Sequence, residues 1–418
     1  VFTAALLDAE VPDRPVVLRA TDYHTVWVNS EALRRAGYTR GVTQPHDGEI
    51  VLNDSGDPVG TLREWGAWRP VYDMLPHPSR EQVIAALDSA TSGFVSSGIT
   101  WVQDAWVEAN DVGSWITALD AGAIHVNADL ALWADPNTWR DQLDQFIHAR
   151  REIHVEGKGR LTAKTIKFFA DGVIESQTGA LIEPYCDCPH SKGLPNWDPE
   201  ELKRAVAAID AYGFTPHIHA IGDQAVRNGL NAIEYAARTN APRDRRWTMC
   251  HLQLVDPQDM NRFAELGVIA NFEPYWSKFD SWQSELNTHR LGEDRLNRQF
   301  QTASLMRHGA RISFGSDWPV TTYRPLDGIQ VAVTRQLDRE SAPWMPEERM
   351  SVDQALAAYT SGVAFQSGRD DAGVLRPGAR ADFVLLGADP REVDPMGISE
   401  IPVRATWRDG DQVFGAVN

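Results

Sequence analysis

The sequence predicts an α/β fold: a (β/α)8 TIM-type barrel that is one strand short of closure in this chain. Three observations point to it. Strand-like and helix-like segments alternate from residue 79 to residue 390. Lysine, histidine, histidine and aspartate stand at successive strand ends in that stretch. After Gly368 the texture changes to short β segments. Repeated β-then-α implies a parallel sheet with helices outside. A chain of 418 residues holds one such unit of about 250 residues and still leaves room for flanking lobes.

The first 78 residues stand apart from the alternation. They hold a strand-like Pro15–Ala20, a helical Ser30–Ala36 and a Gly/Pro/Asp-rich hairpin around Asn53–Pro58, which together suggest a lobe capping a site. Residues 79–367 form the barrel part. Ser79–Ser97 reads as a helix, with Val83, Ala86, Leu87, Ala90 and Phe94 at helical spacing and Gly98 as the stop. Seven strands follow: Ile99–Asp104, His125–Leu132, Thr165–Phe169, Thr215–His219, Trp247–Leu252, Val268–Phe272 and Arg311–Gly315. Helical stretches such as Pro199–Tyr212 and Gln224–Thr239 separate most of them. Residues 368–418 read as β: Gly373–Leu386, Val403–Trp407 and Val413–Val417, with an Asp409-Gly410 hairpin turn.

Composition narrows the function classes. Forty basic against 58 acidic residues give a formal charge of −18, which repels phosphate backbones and excludes nucleic acid as the expected partner. Three cysteines do not make a disulfide framework. Cys186-Asp-Cys188-Pro-His190 lacks the second ligand pair of a structural metal site and reads as a loop. No apolar run reaches membrane-span length, and no signal-peptide pattern follows Val1, so a cytoplasmic enzyme acting on a small molecule is expected, with a homo-oligomer as an open alternative to a monomer. The 15 tryptophans suit core packing and an apolar pocket, with Trp276, Trp282 and Trp318 as pocket candidates.

Catalytic groups of a parallel barrel project from the C-terminal ends of its strands. Lys167 lies in the third of the seven strands, His217 and His219 in the fourth, His251 in the fifth, and Asp317 just after the seventh. Each alone would be unremarkable on a strand. Four in this order point to a metal or acid/base site.

Several segments together resemble the amidohydrolase superfamily, and within it the YtcJ-like branch, amidohydrolase family 3. They are Asp22–Leu33, Lys167-Phe-Phe-Ala-Asp-Gly172, His219-Ala-Ile-Gly-Asp223, His251-Leu-Gln253, Gly315-Ser-Asp-Trp-Pro-Val320 and Leu375–Phe383. The resemblance implies that Ile99–Asp104 is barrel strand 2. It implies one or two divalent ions, Zn2+ in the first place, held by a carboxylated Lys167 with His219, His251 and Asp317. It further implies that Asp317 is the catalytic acid/base and that a metal-activated hydroxide attacks a non-peptide C–N bond of an amide, formamide or cyclic amide. His24, with Trp27 and Asn29, matches the family's substrate-contacting segment. His217, on the same strand face as His219, is assigned to the pocket.

The family's Pro-Gly-x-x-Asp-x-His-x-His segment on strand 1 has no counterpart here, and of its small β-sandwich the C-terminal half is what the sequence matches. A chain beginning inside the insertion between strands 1 and 2 would account for both. A seven-stranded barrel leaves two open edges, so these residues alone are expected to be poorly soluble, to hold at most one ion through Lys167, His219 and His251, and to be inactive. A regulatory or binding protein on a degenerate barrel is the rival reading. A metal-free lyase or isomerase is a third, and it would keep its activity in the presence of chelators.

Overall fold

A computed structural model describes residues 2–416; Val417, the expected last residue of the final strand, lies outside them. Four antiparallel strands build the first lobe: β1 (Val17–Arg19), β2 (Thr25–Val28), β3 (Glu49–Leu52) and β4 (Pro58–Arg63), in the order β1-β2-β4-β3. Val26, Val28, Ile50 and Leu62 point inward against Ala32, Leu33, Trp68 and Val71 of two helices. Asn29 begins the first of these helices, Ser30–Arg35, by accepting the Ala32 amide at 3.0 Å.

The central sheet is parallel throughout. Its strands are β5 (Trp101–Val107), β6 (Asn127–Trp133), the two-residue β7 (Leu161–Thr162), β8 (Thr165–Phe169), β9 (Thr215–Ala220), β10 (Thr248–His251), β11 (Ile269–Phe272) and β12 (Arg311–Phe314). Leaving aside β7, which pairs with β6, seven strands run β12-β11-β10-β9-β8-β6-β5. Every residue of β6, β10 and β11 is buried, as expected of strands covered on both faces. This mixed α/β arrangement, a curled seven-stranded parallel sheet, agrees with the expected strands to within a few residues at each end. Only β6 borders β5 and only β11 borders β12, so these two are the edges.

The helices start where local chemistry satisfies their free amides. Ser79 and Gln82 form a reciprocal capping box before the helix Arg80–Ser96. Asp198 caps Pro199–Ala211, with Pro199 in the first turn. Leu202, Ala205, Val206 and Ile209 of that helix join Phe146, Phe168 and Ile218 in the main core.

Asp210 anchors this layer: its side chain is fully buried and pairs with Arg243 and Arg245 at 2.7 and 2.9 Å. Burial pushes its carboxyl up, but hydrogen bonds from Arg245 and Asn240 and the two guanidinium charges outweigh burial and hold its pKa below the usual range. Its contribution is therefore complete above the unfolded-state value of about 4 and is lost as pH falls through the lower folded value. Asp210→Ala strands both arginines and is expected to cost about 3 kcal/mol in urea unfolding.

The C-terminal β segments form a three-stranded antiparallel sheet of β13 (Phe383–Leu386), β14 (Val403–Arg408) and β15 (Asp411–Gly415). The expected strand over Gly373–Leu386 is thus mostly not one. Gly373 and Gly378 take left-handed φ values of 74° and 85°, and Pro377 between them has no amide to give a neighbour, so pairing begins only at Phe383. The sheet packs on the helix Arg80–Ser96, where Thr406 donates to the Val95 carbonyl at 2.7 Å. No helix among the described residues is long and apolar enough to cross a membrane.

Candidate active site

A cavity of about 930 Å3 opens at the C-terminal ends of the parallel strands and extends down between the edges β5 and β12. Lys167, His217, His219, His251 and Asp317 all line it, and so does His24 from the first lobe. Trp27 and Asn29 do not. Trp27 donates its indole N–H to the Thr3 carbonyl and packs on Phe2. The Asn29 amide is occupied by Val11, Arg14, Val16 and Ala32. Both brace the lobe, and their expected role in contacting substrate is corrected.

Lys167 is 3% exposed, and its ammonium donates to Cys250 Sγ at 3.2 Å, with the Phe169 ring centroid 5.0 Å away. The His219 and His251 rings meet edge to face at 4.6 Å. His219 Nε2 lies 3.0 Å from the Gly172 carbonyl. Burial and the charges of His251, His24 and Lys167 hold His219 well below the ordinary histidine value and therefore neutral. His251 takes a left-handed φ of 75°, which swings its ring off the strand direction. Its Nδ1 is 2.9 Å from Glu273 Oε2, and Trp276 stacks on its face at 5.4 Å. Burial pushes His251 down, but Cys250 and Glu273 outweigh it and draw the ring toward its protonated form. A cation at Nε2 would have to displace that proton.

Asp317 is exposed and sits at φ 51°. Burial pulls His24 down, but the charge and hydrogen bond of Glu64, followed by the charges of Asp22 and Asp317, outweigh it and raise the ring above the ordinary histidine value. Glu64, in the first lobe, links it to the loop after β8: Oε2 is 2.9 Å from His24 Nδ1 within the lobe, and Oε1 accepts from Thr178 Oγ1 at 2.6 Å. Gly172 lets these groups approach, because a Cβ there would overlap both Glu64 Oε1 and Thr178 Oγ1. Asp171 beside it accepts amides from Ala180, Ile221 and Gly222, which holds the loops after β8 and β9 together while burial pushes its carboxyl up to about 7. His217 turns Nδ1 to Gln103 Oε1 at 2.5 Å, and its buried Nε2 has no partner.

Glu64, Glu273, Asp104 and Cys250 were not singled out by the sequence reading. Glu273 had a usable signal, since it directly follows a buried strand. Asp104, a cavity carboxyl that burial pushes up to about 6, closed the expected strand Ile99–Asp104 and so also stood at an expected strand end, though β5 runs on past it to Val107. Glu64 had none. Of the three expected pocket tryptophans, Trp276 stacks on His251 and Trp318 lines the cavity, whereas Trp282 does not. Cys186 and Cys188 are free thiols, the first of them exposed.

The donor set bears on the divalent ion that the resemblance implies. No three His, Cys, Asp or Glu side chains among the described residues are gathered as a metal site. The two imidazoles nevertheless suit one: His219 is neutral, and His251 is oriented by a carboxylate as metal-binding histidines are. A carbamate on Lys167 would be the third donor, and three protein ligands with an open position are what a catalytic zinc takes.

Comparison with known proteins points to one family. The model of the amidohydrolase family matches residues 1–414. The putative amidohydrolase YtcJ of Bacillus subtilis is 30% identical over 98% of this chain and 75% of its own length. The N-substituted formamide deformylase of Arthrobacter pascens is 26% identical over 97% of this chain and 74% of its own. Among solved structures, an uncharacterized metal-dependent hydrolase from Pyrococcus horikoshii superposes with a TM-score of 0.71 at 21% identity, covering 94% of this chain and 75% of that one.

Proposed function

The chain belongs to the amidohydrolase family, and on that premise we propose that it hydrolyses a non-peptide C–N bond in an amide, formamide or cyclic amide, using a divalent metal, zinc in the first place. The observation that carries the reading is the convergence of Lys167, His219, His251 and Asp317 on one cavity. When bound, the metal supplies Lewis-acid chemistry, lowering the pKa of a water and polarising the carbonyl.

Carboxylated Lys167, neutral His219 and His251 would hold the ion, with Glu273 fixing the His251 ring. Asp317 is exposed to the cavity, and its carboxylate makes no side-chain hydrogen bond among the described residues. It is free to take the proton of the attacking water and deliver it to the leaving nitrogen. His24, held by Glu64 of the same lobe, would direct its Nε2 at the substrate carbonyl. The name of the Arthrobacter relative supports N-substituted formamides as a first substrate class.

Completed with a first barrel strand carrying the family's His-x-His pair and supplied with Zn2+ and bicarbonate, the protein should release amine from a panel of N-formyl and N-acyl amines, and a chelator should stop it; turnover by the parent and by every variant is expected of that completed chain. Turnover undiminished by chelation would refute the metal reading and favour the metal-free alternative.

A further inference from the structure

Above the proposed metal centre the cavity is walled by aromatic rings that the hydrolytic chemistry does not use. Trp65 packs on Trp68, Trp106 and Trp133 with ring centroids 4.4, 4.5 and 4.6 Å apart. Trp106 in turn stands 5.0 Å from Phe169, which is 5.2 Å from His219. The wall therefore leads ring by ring down to a proposed metal ligand.

Two arginines lie against this wall, and they differ. Arg69 covers Trp65 and Trp133 and is neutralised by Glu108 and Asp73 at 3.5 and 3.6 Å. Arg19 covers Tyr23, Trp68, Tyr72 and Trp106, with its guanidinium carbon 4.3 to 5.8 Å from the ring centroids. It lines the cavity, yet no carboxylate of the described residues stands within 4 Å of it. The nearby Asp22 instead accepts the backbone amides of His24 and Thr25. Arg19 Nη2 donates to the Tyr23 carbonyl at 3.2 Å, and its buried Nε has no partner. The buried indole N–H groups of Trp65 and Trp68 are also unpartnered. Unpartnered indoles occur elsewhere too, at Trp139 and Trp197, and so do unpartnered arginine nitrogens, at Arg160 and Arg335; what marks Arg19 is that it faces the cavity, lies over four aromatic rings and has no carboxylate beside it.

A guanidinium among aromatic faces, with donors to spare, is built for a planar acceptor flanked by apolar surface. Charge selects among anions. Asp22, Asp47, Glu64 and Glu108 line the same space, so a dianionic phosphate meets more repulsion than a monoanionic carboxylate.

We propose that Arg19 and the Trp65–Trp68–Trp106 wall select substrates carrying an aromatic ring with a carboxylate at the end remote from the scissile C–N bond. The substrate claim rests on the hydrolase reading, but the binding claim can be tested without turnover. Calorimetry on the full chain, treated with chelator and at low salt, would compare 3-phenylpropionate with the neutral 3-phenylpropan-1-ol. The acid should bind about tenfold or more tightly, as a charge-assisted hydrogen bond requires. Arg19→Gln should erase that preference. Arg19→Lys, which keeps the charge and loses the fork, should retain part of it and serves if the glutamine variant fails to fold. Lys167→Met should leave it intact.

Equal binding of acid and alcohol by the unaltered chain overturns the proposal. So does an acid preference that survives Arg19→Gln, or one that disappears with Lys167→Met. Failure of the hydrolase reading would instead show as absent turnover of every amide with the Arg19-dependent preference preserved.

Discussion

Asp317→Asn should lower kcat by about a thousandfold on any substrate the chain turns over, the size expected for removing a positioned acid/base. The fold should not register the change. Asp317 is exposed and carries no side-chain hydrogen bond, so stability should stay within about 0.5 kcal/mol. Its backbone lies at φ 51°, a conformation asparagine tolerates as well as aspartate. The measurement is steady-state kinetics beside thermal unfolding. Activity within a few-fold of the parent would remove Asp317 from the chemistry, and a collapsed melting transition would mean its role is structural.

The second large effect concerns Lys167. Its ammonium is buried beside two histidines, where a positive charge opposes a divalent cation and a carbamate would bind one. Chain stripped of metal and assayed in buffer free of carbon dioxide should therefore stay at least about a hundredfold below full activity when Zn2+ alone is restored, since even groups that only orient metal ligands cost up to that much. Zn2+ with bicarbonate should recover it. Lys167→Ala should be inactive under both conditions. Full recovery with Zn2+ alone would show that the amine is not carboxylated, and the third donor would then have to be sought elsewhere in the cavity.

The parallel strands were legible because each is a short run between turn signals, and those inside the sheet, such as β6, β10 and β11, are apolar and buried on both faces. The expected Thr165–Phe169 and the expected Thr215–His219 therefore differ from β8 and β9 by one residue at most. The converging groups were legible for a related reason: strand ends in such a sheet share one mouth, so order along the chain becomes proximity in space. What resisted was whatever depends on contacts between lobes. Trp27 and Asn29 neighbour His24 in sequence, but strand alternation sets Trp27 on the face opposite the inward Val26 and Val28, against Phe2, and a helix cap occupies Asn29. The tryptophan wall draws on the first lobe, β5 and β6, and no local spacing announces that these residues meet. Glu64 is invisible for the same reason, because its two partners lie 40 residues before it and 114 residues after it.

That carboxylate has a further consequence. One oxygen holds His24 of its own lobe while the other accepts from Thr178 in the loop after β8, so a lobe swinging away from the mouth carries the first bond with it and breaks the second. The carboxylate would then keep one donor and lose the other until water replaced it. The Thr178 hydroxyl thus acts as a latch on the lobe, and the rate of product escape would be set by how often that latch lifts.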